Sequence, residues 1–448
     1  MDNPGPMNQK YKYKIITLGC KVNQFESDAI SQFLKESEWL PIQTDEAVDI
    51  IIINTCTVTQ KASMQSRQAI RHAIRSNPDA RIVVTGCYAQ KSAEELKQIK
   101  GIHDIIGSAL KHRIPQALLS TAGKQRPDSP LVIIPDINRE QIFKQTMVGI
   151  SGNRTRPFLK IQDGCNSYCT YCIVPYTRGR SRSMPADDIL QKIELFSSAG
   201  YKEVVLTGIH LGCYGKDFPT GRNSLYKLLK MIDDRSSIER VRLSSIEPHE
   251  LTADIIKLVA SSTRLCNHFH IPLQSGDDTI LKKMRRPYTG EQFSSLISLI
   301  YQKIPEASIG VDILIGFPGE NQSAFKNTYD LVQELPISYL HVFPYSARQG
   351  TPAAQYPNPV SQPTIKERCQ KMRELGIQKK NLFLQKSIGR IVDVLVEETR
   401  DKKTSLLKGM TSNYITVLFE GPNSLKKKII KTKIIEQIDS TAMLGSVE

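Results

Sequence analysis

No stretch of this chain is apolar for long enough to cross a bilayer as a helix. The longest apolar run, Val48-Asp49-Ile50-Ile51-Ile52-Ile53, is short and is interrupted by Asp49. The opening residues Met1-Asp2-Asn3-Pro4-Gly5-Pro6 lack the basic-then-apolar order of a signal peptide. These two absences lead to the expectation of a cytoplasmic protein with no membrane attachment, its nine cysteines reduced and free to bind metal. A third absence says more. The run Gly164-Cys165-Asn166-Ser167-Tyr168-Cys169-Thr170-Tyr171-Cys172 offers three thiolates in C-x₃-C-x₂-C spacing and no fourth. A structural zinc site closes on four ligands, and simple electron-transfer iron–sulfur clusters also take four cysteines. Three ligands on a cubic cluster leave one iron open to hold a substrate, so the spacing points to chemistry rather than to a staple.

What is present in excess is positive charge. Sixty Lys and Arg face 45 Asp and Glu, a net +15, which fits either an anionic partner such as nucleic acid or a solubilising surface. With 448 residues, 40% hydrophobic and 23% charged, the chain has room for two or three ordinary globular domains.

Short apolar runs alternate with helical patterns over the first hundred residues. Strands are expected at 14–18, 50–53 and 81–85, with helices over 27–35, up to residue 75, and over 92–100. Such alternation predicts an open parallel sheet covered on both faces. Each of the three strands ends on a cysteine: Cys20, Cys56 and Cys87. Ligands gather outside the carboxyl ends of such strands, so the three thiols are expected to meet in space. The alternative is three unrelated buried thiols. Residues 121–157, with Pro127, Pro130, Pro135 and the polar run Ser151-Gly152-Asn153-Arg154-Thr155-Arg156-Pro157, read as an interdomain connection. Strands then return at 158–162, 203–207, 240–245, 268–273, 309–315 and 339–344. Six βα units fit a partial TIM-like barrel, with the Cys165 loop at its mouth. Beyond residue 383, β-rich runs at 391–397, 414–419 and 428–435 suit a small β-barrel of the OB type, carrying Lys426, Lys427, Lys428, Lys431 and Lys433.

The three-cysteine run, with Tyr171 before its last cysteine, resembles the cluster motif of radical S-adenosylmethionine enzymes. The resemblance implies a 4Fe–4S cluster on Cys165, Cys169 and Cys172 whose open iron chelates S-adenosylmethionine, cleaved reductively to a 5′-deoxyadenosyl radical. It further implies cofactor contacts from Thr207 and Gly208 at the second strand, from Ser244, Ser245 and Glu247 at the third, and from Gly316 in Gly310-Val311-Asp312-Ile313-Leu314-Ile315-Gly316-Phe317-Pro318-Gly319-Glu320. Arg178 and Arg180 are expected to neutralise anionic charge near that cluster. His210, His268 and His270 are read as core residues, and Cys213, Cys266 and Cys369 as plain thiols.

The whole order of the chain, from Lys14 to about Ile435, is similar to the methylthiotransferases. That likeness implies three domains: 1–145 with a second 4Fe–4S cluster on Cys20, Cys56 and Cys87; 150–383 as the radical domain; and 384–448 as a TRAM domain, an RNA-binding barrel. Thr17-Leu18-Gly19-Cys20-Lys21-Val22-Asn23-Gln24, Asn54-Thr55-Cys56-Thr57-Val58-Thr59 and Cys172-Ile173-Val174-Pro175-Tyr176-Thr177-Arg178-Gly179-Arg180 resemble the branch acting on N6-threonylcarbamoyladenosine beside the anticodon of tRNA. Ala62-Ser63 and Cys213 depart from that pattern. The implied reaction methylates a sulfur at the auxiliary cluster and inserts it at adenine C2, with tRNA, an electron donor protein and a sulfur donor as partners. The same chemistry on isopentenyladenosine or on a ribosomal-protein aspartate, and a non-catalytic iron–sulfur RNA-binding sensor, stand as alternatives.

Overall fold

The computed structural model describes residues 11–43, 46–121, 129–144, 154–219 and 224–448. It resolves into two compact units. The first is Met1–Gly152 with Asp163–Ser167 and Cys172–Arg182, and the second is Asn153–Gln162, Tyr168–Tyr171 and Ser183–Glu448.

In the first unit a wholly parallel sheet runs in the order Leu40–Pro41, Lys12–Thr17, Ile50–Thr55, Arg81–Gly86, Asp104–Ile106, Leu131–Ile133. The central isoleucine run is apolar without alternation because both of its faces are buried. Ile51 and Ile53 pack with Ile70, Ala73, Ile82 and Val84, while Ile50 and Ile52 pack with Tyr13, Ile30, Leu34 and Val83. The helix Lys21–Glu36 buries Val22, Phe25, Ala29, Ile30 and Leu34, an i, i+3, i+4 stripe, and begins at Cys20 as its N-cap residue. Gln60–Ser76 begins at Thr59, whose side chain accepts from the Ala62 amide at 3.0 Å.

Two features differ from expectation. The sheet has six strands rather than three, and the sixth, Leu131–Ile133, lies inside the predicted connection 121–157. It is a three-residue edge strand, too short to show a period. Pro127 and Ser151-Gly152-Asn153 lie outside the described residues. The helix predicted over 92–100 is confined to Ala93–Lys97, and a separate turn, Cys87–Lys91, precedes it.

In the second unit six parallel strands form two three-stranded sheets. Phe158–Lys160, Glu203–Thr207 and Arg240–Leu243 make one; His268–Gln274, Ser308–Ile315 and Tyr339–Pro344 make the other. A bridge from Val241 to Leu265 and the Ile246 amide donating to His270 O at 3.0 Å join them into a partial barrel. A 24-residue helix that the sequence reading passed over, Gln362–Gln385, covers the last strand. Gly376 permits the approach: a Cβ there would fall 3.1 Å from that of Leu340. The C-terminal segment closes as a five-stranded barrel in the order Ile391–Val396, Leu407–Thr411, Thr416–Phe419, Met443–Val447, Ile429–Gln437, around Val394, Val396, Leu407, Val417, Phe419, Ile434 and Met443. Leu407–Thr411 and Met443–Val447 were not anticipated; each carries a glycine that weakens its β signal.

The small barrel is tied to the N-terminal ends of the barrel strands. Arg240 donates to Asp393 O at 2.8 Å. Arg242, paired with the buried Glu203 at 2.7 Å, donates to Ser412 O at 2.8 Å and Thr411 O at 3.0 Å. On its outer face Lys431 and Lys433 are exposed, while Thr432 and Ile434 between and after them point inward. Lys427 is paired with Glu398 at 2.8 Å.

Candidate active site

Cys20, Cys56 and Cys87 follow the carboxyl ends of their strands, near enough that Cys56 feels the charge of the other two. Cys56 is buried, and its thiol is pushed up to about 11, by burial first and then by Cys87, with Cys20 adding to the effect; the Val58 amide and Arg178 oppose it. Glycines make this approach possible. Gly19, at φ +99°, has no Cβ, and one built there would lie 2.8 Å from Cys56 Cβ and 2.9 Å from its Sγ. Gly86, at φ +101°, leaves room for Thr55, whose carbonyl oxygen would be 2.3 Å from a Cβ.

Around these thiols lies a polar shell of which the sequence singles out only Arg178; Glu26, Asn23 and Lys111 carry no such signal. Arg178 is 1% exposed. Its guanidinium donates to Glu26 Oε1 at 2.6 Å, to Asn23 Oδ1, and through Nε to Cys87 Sγ at 3.3 Å. Lys111 reaches the same carboxylate, Nζ to Glu26 Oε2 at 2.5 Å. Asn23 is held in turn, its Nδ2 donating to Leu18 O at 2.8 Å and Thr55 O at 3.0 Å. Burial opposes the charge on Arg178, but Glu26, Cys87, Asp163 and Cys20 together raise its pKa well above the ordinary value. Two buried basic groups thus share one buried carboxylate, burial lowering the Lys111 pKa against the pull of Glu26, with Asp163 at 3.5 Å as a more distant partner that also meets Arg182 at 3.6 Å. A buried basic cluster, an N–H donor aimed at Cys87 Sγ and three neighbouring thiols fit an anionic thiolate cluster. Arg178 was expected near the other cysteine set; its guanidinium donates to Cys87 of this one, while the carbonyl of the adjacent Gly179 accepts from the Cys165 amide.

The second set is one loop. Cys165 donates its amide to Gly179 O at 3.0 Å, and its Sγ accepts from the Ser167 amide at 3.4 Å. Gly164 has to be glycine: its φ is +77°, and a Cβ there would lie 1.9 Å from Arg180 O. Within the second unit, Cys169 Sγ accepts from Arg286 Nη1 at 3.4 Å. Arg286 also pairs with Glu247 and donates to Tyr288 OH at 2.9 Å, and that hydroxyl donates to the Pro272 or Leu273 carbonyl, each 2.9 Å away. Hydrogen-bond donors on two of the three sulfurs favour the thiolate form that iron ligation needs.

The expected cofactor contacts divide. Thr207 is buried at the end of its strand, and Gly208 beside it would place a Cβ 2.9 Å from Gln162 Oε1. Ser244 Oγ is buried and lacks a hydrogen-bond partner, an orphaned group that a bound ligand would satisfy. Glu247 is committed at least partly to Arg286. Gly316, at φ +85°, abuts Ile365 of the long helix, where a Cβ would lie 2.4 Å from Cγ1. Its requirement for glycine therefore has a packing cause. His210 and Cys213, read as core and plain thiol, surround Glu250: His210 Nε2 lies 2.7 Å and Lys216 Nζ 2.6 Å from its oxygens, and Cys213 Sγ donates at 3.1 Å.

The comparisons with known proteins match this division. Residues 12–107 match the family described as uncharacterized protein family UPF0004, and residues 159–332 match the radical SAM superfamily. The threonylcarbamoyladenosine tRNA methylthiotransferase MtaB of Bacillus subtilis is 38% identical, with 94% of this chain and 93% of that protein covered. The same-named protein of Aquifex aeolicus is 36% identical over 92% of this chain and 98% of its own. The tRNA-2-methylthio-N(6)-dimethylallyladenosine synthase of Fusobacterium nucleatum is 37% identical, covering 95% and 97%. The chain belongs to the radical S-adenosylmethionine methylthiotransferase family. Membership of the radical SAM superfamily implies S-adenosylmethionine and one 4Fe–4S cluster. A solved radical S-adenosylmethionine methyltransferase, TsrM from Kitasatospora setae, shares the fold at TM-score 0.55 and 14% identity, covering 75% of this chain and 73% of that one. Among the described residues no helix is long and apolar enough to cross a membrane.

Proposed function

We propose that this methylthiotransferase acts on N6-threonylcarbamoyladenosine next to the anticodon of tRNA, placing a methylthio group at adenine C2. The observation that carries the reading is that Cys20, Cys56 and Cys87 neighbour one another beside the buried Arg178 and Lys111, in a chain that also holds the Cys165, Cys169, Cys172 loop. One three-cysteine set serves S-adenosylmethionine cleavage; the second is needed where sulfur must also be delivered. We assign a second 4Fe–4S cluster to the first set, with Arg178 and Lys111 balancing its negative charge. Bound to the loop, a cluster and S-adenosylmethionine together supply radical chemistry strong enough for an unactivated aromatic C–H. The chain's own part is to hold and orient. Arg286 fixes Cys169 and Glu247 together, Ser244 offers an uncommitted hydroxyl to the cofactor, and Thr207 and Gly208, the latter packed against Gln162, are assigned to its amino group. Residues 1–145, 150–383 and 384–448 are taken as the sulfur, radical and TRAM domains, with Lys431 and Lys433 facing phosphate. An electron donor protein and a sulfur donor complete the cycle, in the cytoplasm.

Subfamily choice rests on the motifs around Cys20, Cys56 and Cys172, and on the MtaB names of several relatives. Mass spectrometry of tRNA nucleosides from a deletion strain tests it. Loss of 2-methylthio-threonylcarbamoyladenosine is the expected result; loss of only the isopentenyl product would reject it.

A further inference from the structure

The last strand of the partial barrel, Tyr339–Pro344, carries a row of aromatic rings that no step described so far uses. Its two faces are distinguishable by what they touch. Leu340 meets Gly376 of the long covering helix, so that face looks outward. Tyr339 takes the opposite face, where its ring lies against Gly310 and its hydroxyl hydrogen-bonds His268 Nε2 at 2.8 Å and His270 Nδ1 at 3.1 Å. His341 and Phe343 follow Tyr339 at two-residue spacing and share its face, the one lining the barrel interior.

These two side chains stay open although they face inward. The His341 side chain is 53% exposed and Phe343 is 43% exposed. The rings form a ladder: Tyr339 to His341 at 5.3 Å between centroids, His341 to Phe343 at 6.3 Å, and His270 to His341 at 5.1 Å. At the centre of the ladder stands Asp312, paired in register with His341 on the neighbouring strand. One oxygen, Oδ1, lies 2.8 Å from His270 Nε2 and 3.2 Å from His341 Nδ1. Burial would raise the Asp312 carboxyl, but the two imidazoles hold it well below the usual carboxylate range, so it is an anion that accepts. An accepting carboxylate at Nδ1 places the His341 proton there and leaves Nε2 as a hydrogen-bond acceptor on the open side.

We infer that His341 and Phe343 receive the unpaired target adenine, Phe343 by stacking and His341 Nε2 by accepting from the exocyclic N6–H, with Asp312 as the positioning residue. The inference rests on the tRNA reading above and names the part of the barrel that serves it. Its chemistry is that of single-strand recognition, where an unstacked base is held between aromatic rings and read on its edge. The patch also lies at the right height. His270 precedes Pro272 by two residues, and the Pro272 carbonyl oxygen is 3.4 Å from Arg286 Nη2, whose guanidinium also holds Cys169. Phe343, next to last in its strand and one step beyond the Pro272–Asp312–His341 level, therefore offers its ring at the carboxyl end of the lumen, the end at which Arg286 meets Cys169.

The test uses the iron-loaded full chain and two anticodon stem-loop RNAs, one with N6-threonylcarbamoyladenosine at the target position for affinity and one with 2-aminopurine, which lacks the N6 group, for fluorescence. Fluorescence of that base should be quenched on binding. Phe343→Ala should abolish the quenching and weaken binding about 5- to 150-fold, from the ~1–3 kcal/mol that one base–aromatic stack contributes. Phe343→Trp should retain both. An RNA with an abasic site at the target position should bind wild-type and Phe343→Ala protein alike. The salt dependence of binding should not change with Phe343, since no phosphate contact is lost. His341→Ala should cost the adenine-containing loop a smaller factor and the abasic loop nothing, with Asp312→Asn between wild type and His341→Ala. Iron content and melting temperature of each variant exclude misfolding. If wild type fails to bind the threonylcarbamoyladenosine loop, the tRNA reading falls. If it binds while Phe343→Ala quenches equally, or weakens the abasic loop as much as the normal one, the lumen assignment alone is overturned.

Discussion

Replacing Arg178 by methionine removes a buried cation of matched length and tests the pocket around the first cysteine set. Arg178 is 1% exposed and donates to Glu26 Oε1 at 2.6 Å, to Asn23 and to Cys87 Sγ at 3.3 Å. Removing one member of a buried ion pair costs about 3–5 kcal/mol because the other charge is left without compensation. Here Glu26 keeps Lys111 at 2.5 Å, so the lower end, about 3 kcal/mol, applies. For a unit of this size that loss lowers the melting temperature by roughly 6–12 °C. Glu26→Gln should cost more than Arg178→Met, since it strips the near carboxylate from two buried basic groups and leaves only Asp163, 3.5 Å from Arg178. Arg178→Lys should fall between wild type and methionine: it restores charge but cannot reach three acceptors as a planar fork does. Calorimetry of the iron-free chain measures all four proteins, and the double variant Glu26→Gln/Arg178→Met closes the cycle. In the iron-loaded chain the loss from Arg178→Met should grow, and bound iron should fall, because thiolate charge then lacks its partner. A melting shift under 2 °C for Arg178→Met, or strictly additive single effects, would refute the charge argument.

Gly19→Ala should cut bound iron by about half on the reading of two equal clusters, because its Cβ would enter the space of Cys56 Sγ at 2.9 Å in a backbone conformation that also costs roughly 1–2 kcal/mol; full iron loading would contradict this. With the Cys56 thiol at about 11, the iron-free chain at pH 8 should be alkylated at the exposed Cys20 well before Cys56, as peptide mapping would reveal, and metal uptake should strengthen as pH rises because that proton must leave. Glu250 is driven upward by burial but held down to about 2, chiefly by His210 and Lys216. Its folded value lies below the ordinary 4.5, so the contribution, about 3 kcal/mol, is complete above that pH and is lost as pH falls toward 2. Glu250→Gln should therefore flatten the decline in stability between pH 5 and 3; an unchanged slope would refute it.

The parts of the fold that were legible in the sequence are those whose signal is local. The two-sided burial of Ile50 to Ile53 appears as an unbroken apolar run, and a cysteine directly after each such run already places Cys20, Cys56 and Cys87 at one sheet edge. The six barrel strands are visible for the same reason. The helix Gln362–Gln385 was not, because its exposed length is filled with Lys, Arg, Glu and Gln and its buried stripe is thin. Arg178 shows the limit more sharply. Six residues beyond Cys172 in the chain, it was assigned to the cofactor of that loop, yet its partner Glu26 is 152 residues away. Lys111 lies 85 residues from the same carboxylate, in a short basic run, Lys111-His112-Arg113, that matches no motif. Strand register has the same character: Asp312 and His341 are ordinary residues of two separate apolar runs until the parallel pairing sets them opposite one another. A metal ligand declares itself through the spacing of its cysteines, whereas the groups that balance its charge or receive its substrate are selected only by where the backbone returns. Functional residues of that second kind are therefore found by asking which buried charges and open rings the fold has left facing an already recognised site.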